Sequence, residues 1–330
     1  MAQLDFFGAP APDPTRRLDL AEQPPEVGAL GEELRALAPG LRLGTSSWSF
    51  PGWEGILWDR PANNRLLARE GLAVYARHPL LRTVGLDRTY YGPMRAEQFA
   101  ALRDGLPADF RVLAKAHAEC TTVRFGDESW YRSRAGQRNE RFLEPEYASA
   151  AVVEPFVQGL GEQGGVILFQ FPPQRVPGGA RSFACRLRDF LAALPAGPKY
   201  AVEIRNADLF TPRYVRALEE VGASHCVVEL PDMPPLRRQW EASGGVDRPA
   251  LVMRWMLARH HTYESGREAY APFHRLAEPN LEVRQAFAEM ILAQAKAAPA
   301  REIYLIANNK AEGCSPLSVI ALAKQLLELG

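Results

Sequence analysis

Residues 165–205 read GVILFQFPPQRVPGGARSFACRLRDFLAALPAGPKYAVEIR. Two short apolar runs, Gly165–Gln170 and Tyr200–Arg205, stand on either side of a helical stretch near 180–193. A strand covered on both faces should be nearly all apolar, and a parallel neighbour is reached only through a crossover of a dozen or more residues. The segment therefore predicts one strand–helix–strand unit.

The same unit recurs in both directions. Further runs at Leu41–Ser46, Arg82–Asp87, Phe110–Ala116, Ser224–Glu229, Ala250–Trp255 and Glu302–Ala307 bring the total to eight. Helical stretches near 64–78, 95–104, 147–162, 212–222, 281–298 and 316–329 fill most connections, and the irregular sixth, 231–248, is expected to hold only a partial helix. Eight such runs predict an α/β fold, a closed (β/α)8 TIM-type barrel forming a single domain over 41–330. An open doubly wound sheet is the alternative, but no Gly-x-Gly-x-x-Gly follows the first run. Residues 1–40 carry Pro10, Pro12, Pro14, Pro24, Pro25 and Pro39 and read mostly as a flexible arm with a short helix near Glu32–Leu37.

Thirty-nine basic residues balance thirty-nine acidic ones, so anion binding must be local rather than a property of the whole field. Cys120, Cys185, Cys226 and Cys314 lie far apart without C-x-x-C spacing, which suits a reducing cytoplasm and argues against a disulfide framework or zinc ribbon. The N-terminus does not read as a secretory signal, and no apolar run reaches the ~18 residues of a membrane span. A cytoplasmic protein with no membrane partner is expected.

Most of the apolar runs break toward their carboxyl ends. Asp87, Lys115, Gln170, Glu203 with Arg205, Glu229, Arg254 and the pair Asn308–Asn309 all fall there. In a closed barrel these ends meet at one mouth, where the active sites of this fold are found. Glu203 and Arg205 are two apart and so share a face; they are either a structural ion pair or part of a ligand site. After the last run, Ser315 can cap a helix with Pro316 in its first turn, and the free N–H groups there, with Lys310 nearby, would suit a phosphate.

These segments resemble the YecE-like family, also called domain of unknown function 72. The stretch from Gly44 through Trp48 and Phe50 to Trp53 is similar to its first-strand motif; Thr83–Tyr91, Lys115–Ala116, Leu168–Pro173, Val202–Arg205 and Asn308–Asn309 are similar to later ones. The resemblance covers about 41–329 and implies a TIM-type barrel with these residues around its mouth, without supplying a reaction. Gly85, Asp87 and Arg88 stand where the family has Glu, Asn and Ser, and Trp255–Met256 stand in place of His-Gly.

Other features admit more than one reading. Trp48, Phe50 and Trp53 could stack on a ligand at the rim or plug the barrel top. Residues 117–146 interleave aromatics with arginines, as a nucleic-acid surface, a mobile lid or a solvated loop would. His260 and His261 diverge in most backbones, and zinc needs three or four converging ligands, so no metal site is assigned. The cofactor stays unknown, none being strongly implied. In the arm, Gln3, Leu4, Asp5, Phe6 and Phe7 resemble the peptide by which bacterial proteins dock on the DNA sliding clamp, with Phe6 where Leu is usual; an arm packing on its own barrel is the other possibility.

Three functions follow. One is an enzyme acting on a phosphate-containing small molecule or nucleic acid, a phosphodiester or sugar-phosphate hydrolase. In it Glu203 would be the acid/base and Lys115, Arg205 and Arg254 would hold negative charge. The remaining polar ends (Asp87, Gln170, Glu229, Asn308, Asn309, Lys310), with Trp48, would bind the ligand. The second is a carbohydrate or sugar-phosphate enzyme using two carboxyl groups. The third is a non-catalytic protein held to the clamp by Gln3–Phe7.

Overall fold

In the computed structural model, which describes residues 17–127 and 131–330, eight parallel strands close into a barrel in sequence order. They are β1 (Leu41–Thr45), β2 (Leu81–Leu86), β3 (Arg111–Lys115), β4 (Gly164–Phe171), β5 (Lys199–Ile204), β6 (Ser224–Glu229), β7 (Leu251–Trp255) and β8 (Ile303–Ala307). β1 pairs with both β2 and β8, which closes the ring. The sixth connection holds the short helix Leu236–Ala242, as its irregular sequence predicts. No described helix is long and apolar enough to cross a membrane.

Alternation along the strands sorts the core into two layers. Val84, Ile167, Phe169, Val202, Ile204 and Met253 belong to the large cluster in which the strands pack with the surrounding helices. Leu113, Val166, Leu168, Ala201, Cys226, Val252, Tyr304 and Ile306 form a separate buried cluster that fills the barrel. Two residues beyond these inward positions lie Lys115, Gln170, Glu203, Arg254 and Asn308. Strand period alone thus carries the polar ends into the mouth. At the opposite end Glu302 gathers Arg42 (3.2 Å), Lys199 (2.9 Å) and the Tyr304 hydroxyl (2.7 Å), closing the floor with charge.

Residues 18–37, expected to be mostly free arm, instead cover the barrel. The helix Pro25–Leu37 is twice the expected length, starts at a proline in its first turn and buries Val27 and Leu34, while Leu18 and Ala21 pack ahead of it. Gln23 anchors the approach by donating to the Ile56 carbonyl at 2.9 Å.

Candidate functional site

The mouth is organised by Arg254 at the end of β7, a guanidinium without exposed surface. Its Nη1 donates to Glu203 Oε2 at 2.6 Å and to Gln170 Oε1 at 3.1 Å. Gln170 and Glu203 are level in the β4–β5 register, which is why one nitrogen reaches both. Arg205 approaches from the other side, with Nε 2.8 Å from Glu203 Oε1 and Nη2 3.0 Å from Gln170 Oε1. Asp87 lies across the barrel, 3.1 Å from Lys115 Nζ and 3.5 Å from Arg254 Nη2. Three cations thus share two carboxylates.

The electrostatics separate the roles. Burial would raise the Glu203 pKa, but Arg254, then Arg205 and Lys115, outweigh it and hold the carboxyl down to about 2. The Lys115 pKa is also lowered, which here favours the neutral form: burial and the neighbouring Arg254 bring its ammonium down to about 8, against the pull of Asp87. Its Nζ also lies 5.7 Å from the centre of the Tyr90 ring.

Above this network the mouth opens into two chambers. One, of about 390 Å³, is lined by Asp87, Tyr91, Lys115, Gln170, Arg205 and Asn308. The other, of about 580 Å³, has Arg205, Arg259, His260, His261, Tyr263 and Lys310 on its walls. Arg205, Met256, Tyr263 and Pro173 border both, so the chambers adjoin. Lys310, 7% exposed, sets its Nζ 4.0 Å from the centre of the Tyr263 ring. Asn308 donates to Ser46 Oγ at 2.8 Å and accepts the Lys310 N–H, fixing that corner.

Several residues expected at the mouth lie elsewhere. Trp48 is buried and donates its indole N–H to the Leu67 carbonyl at 3.1 Å; with Trp53 and Trp58 it belongs to the large core cluster, against the helical segment that follows β1. Asn309 points away from the chambers. Its Oδ1 accepts the Ser315 N–H and hydroxyl, both at 2.8 Å, and residues 309–316 are buried throughout. The start of the last helix, Ser315–Leu329, is therefore not the open phosphate cradle that its sequence suggests. Glu229 is buried and bound by Arg259 at 2.7 Å, and it is the arginine that faces the larger chamber. Glu203 lies beneath the chambers with both oxygens held by guanidiniums.

Two arginines of 117–146 are spent on neighbours close in sequence. Arg134 and Arg141 pair with the buried Glu119 and pack over Phe125 and Tyr147. His117 bonds to the Tyr147 hydroxyl at 2.6 Å. Tyr91 (56% exposed) and Tyr263 (61% exposed), given no role from sequence, border the chambers. Tyr91 belongs to a quoted motif, and Tyr263 stands in the His- and Arg-bearing segment after β7. His260 and His261, expected to diverge, lie together against Glu278.

Fold and mouth together define a TIM-type barrel with a charged pocket at the carboxyl ends of its strands. Residues 42–329 match the family described as "Protein of unknown function DUF72", and the chain belongs to that family. A solved DUF72 family protein from Thermotoga maritima is 20% identical, with 87% of this chain and 99% of that one covered at a TM-score of 0.60. Another, from Enterococcus faecalis, is 18% identical, with 88% and 96% covered at 0.57. No curated protein matches the chain.

Proposed function

We propose that the mouth binds a phosphate-containing ligand, with Lys115, Arg205 and Lys310 holding its negative charge. The observation that carries this is the surplus of cations: Lys115, Arg205 and Arg254 share only Asp87 and Glu203, and Lys310 adds a further charge on the chamber wall. In a partly closed cavity such a surplus attracts an anion far more strongly than it would at an open surface. Tyr91 and Tyr263 offer ring faces on which a base or sugar can stack.

If the ligand is turned over, hydrolysis of a phosphodiester or sugar phosphate is the reaction that these groups suit. Lys115, titrating near 8 and 3.1 Å from Asp87, is the group able to exchange a proton near neutrality. Glu203, held ionised at about 2, serves as the anchor that fixes both arginines rather than as the proton carrier. A carbohydrate mechanism needs two carboxyl groups acting on the substrate, and both Asp87 and Glu203 contact Arg254 here. The phosphate reading is therefore the better supported. The four cysteines are free thiols, in keeping with a reducing cytoplasm. Gln3, Leu4, Phe6 and Phe7 lie outside the described residues; docking of that peptide on a sliding clamp remains our proposal, tested by deleting residues 1–8 and repeating a clamp pull-down.

Calorimetric titration of the full chain with inorganic phosphate, a sugar phosphate and a short single-stranded oligonucleotide tests the main proposal. Arg205→Gln and Lys115→Met should each weaken binding by about 1.5–3 kcal/mol, the worth of a hydrogen bond to a charged group. Equal binding by the variants, or of a neutral sugar in place of its phosphate, would overturn it.

A further inference from the structure

We infer that His260, His261 and Glu278 form a binding site for a divalent transition-metal ion on the wall of the larger chamber. The turn between β7 and the helix Tyr263–Tyr270 brings the two imidazoles within 4.4 Å, centroid to centroid. His260 Nε2 lies 2.8 Å from Glu278 Oε1, and His261 Nε2 lies 3.4 Å from Oε2. One ligand atom from each residue falls within 4.8 Å of the others. Two imidazoles and a carboxylate facing a common point are a donor set for Zn²⁺ and its first-row neighbours, with a further coordination position left open.

The hydrogen bonds behind these ligands sharpen the case. Ser265 donates its hydroxyl to the Thr262 carbonyl and accepts the Thr262 N–H. Its oxygen is 3.0 Å from His261 Nδ1, a contact that holds the ring with Nε2 toward Glu278 Oε2 whichever partner supplies the proton. Tyr270, 5% exposed, donates to the same Oε2 at 2.7 Å and packs edge-on against the His261 ring. Outer bonds of this kind orient metal-binding imidazoles and carboxylates.

Both imidazoles line the larger chamber, so an open coordination position would face the cleft. The inference goes beyond the phosphate proposal and does not depend on it: a metal can bind here whatever the chamber holds.

The test is titration of the full-length protein, stripped with chelator, with Zn²⁺ by calorimetry and with Co²⁺ by visible absorption. One ion per chain is expected, with the ligand-field bands of bound Co²⁺. His260→Ala, His261→Ala and Glu278→Ala should each weaken Zn²⁺ binding by at least ~10-fold, whereas His274→Ala, exposed nearby but outside the cluster, should bind like the parent. Thermal melts confirm that the variants fold; if one does not, the parent's Co²⁺ spectrum still decides. No saturable binding at micromolar ion, or undiminished binding by the triple variant, would overturn the inference. The phosphate titrations are read separately, so either proposal can fail alone.

Discussion

A fully buried carboxylate loses its hydration, a loss that costs several kcal/mol, and Glu203 is tolerated only because Arg254 and Arg205 both reach it. Glu203→Gln should therefore destabilise the fold by roughly 3–5 kcal/mol, read from urea unfolding at pH 7. The pH dependence has a definite sign. The folded pKa of about 2 lies below the ordinary 4.5, so the stabilisation is complete above pH 4.5 and fades as pH falls from 4.5 toward 2. The stability gap between parent and variant should close across that window, and a gap independent of pH would contradict the assignment. Lys115 has the same sign in a higher window. Its folded pKa of about 8 lies below 10.5, so the unfolded chain binds the extra proton between those values. Relative to Lys115→Met, the parent should gain stability as pH rises from 8 to 10.5, and a flat difference would refute the burial argument. These residues were legible because each interrupts an apolar run. Trp48 and Asn309 were misplaced because residue type does not say which way a loop side chain turns.

At the scale of elements, strand limits were legible to within a residue or two, since continuous apolar runs have few alternatives in a parallel sheet. The covering helix Pro25–Leu37 was not. Pro24 and Pro25 read as breakers in a proline-rich arm, yet a proline in the first turn also starts helices. Leu34→Ala should cost about 2–5 kcal/mol, as truncation of a buried leucine does; a change within about 0.5 kcal/mol would mean that the helix is not docked. On β2, Gly85 replaces the Glu expected from the family motif. A Cβ there would meet Ile306 Cγ2 at 3.1 Å and the Ser46 Cα at 3.2 Å, so the barrel interior is filled against it. Gly85→Ala should destabilise by about 1–3 kcal/mol through overpacking, and an unchanged melting temperature would show that β1 and β8 give way freely.

The whole molecule is neutral in sequence yet carries charge at both ends of its barrel. Three tiers account for this: a charged floor around Glu302, an apolar middle from Leu113 to Ile306, and the polar tier of Lys115, Gln170, Glu203 and Arg254. Closure of the ring was legible from the count of eight runs, and the tiers follow from strand period. The two chambers were not, because loop residues 231–233, 256–263 and 310 shape them without regular pattern. The central claim is that the converged strand ends form an anion site. It is tested most directly by soaking crystals in tungstate, a phosphate mimic visible by anomalous scattering. A peak within hydrogen-bond distance of Lys115 Nζ and the Arg205 guanidinium is the expected result, and a clear peak elsewhere with none in the mouth would contradict it.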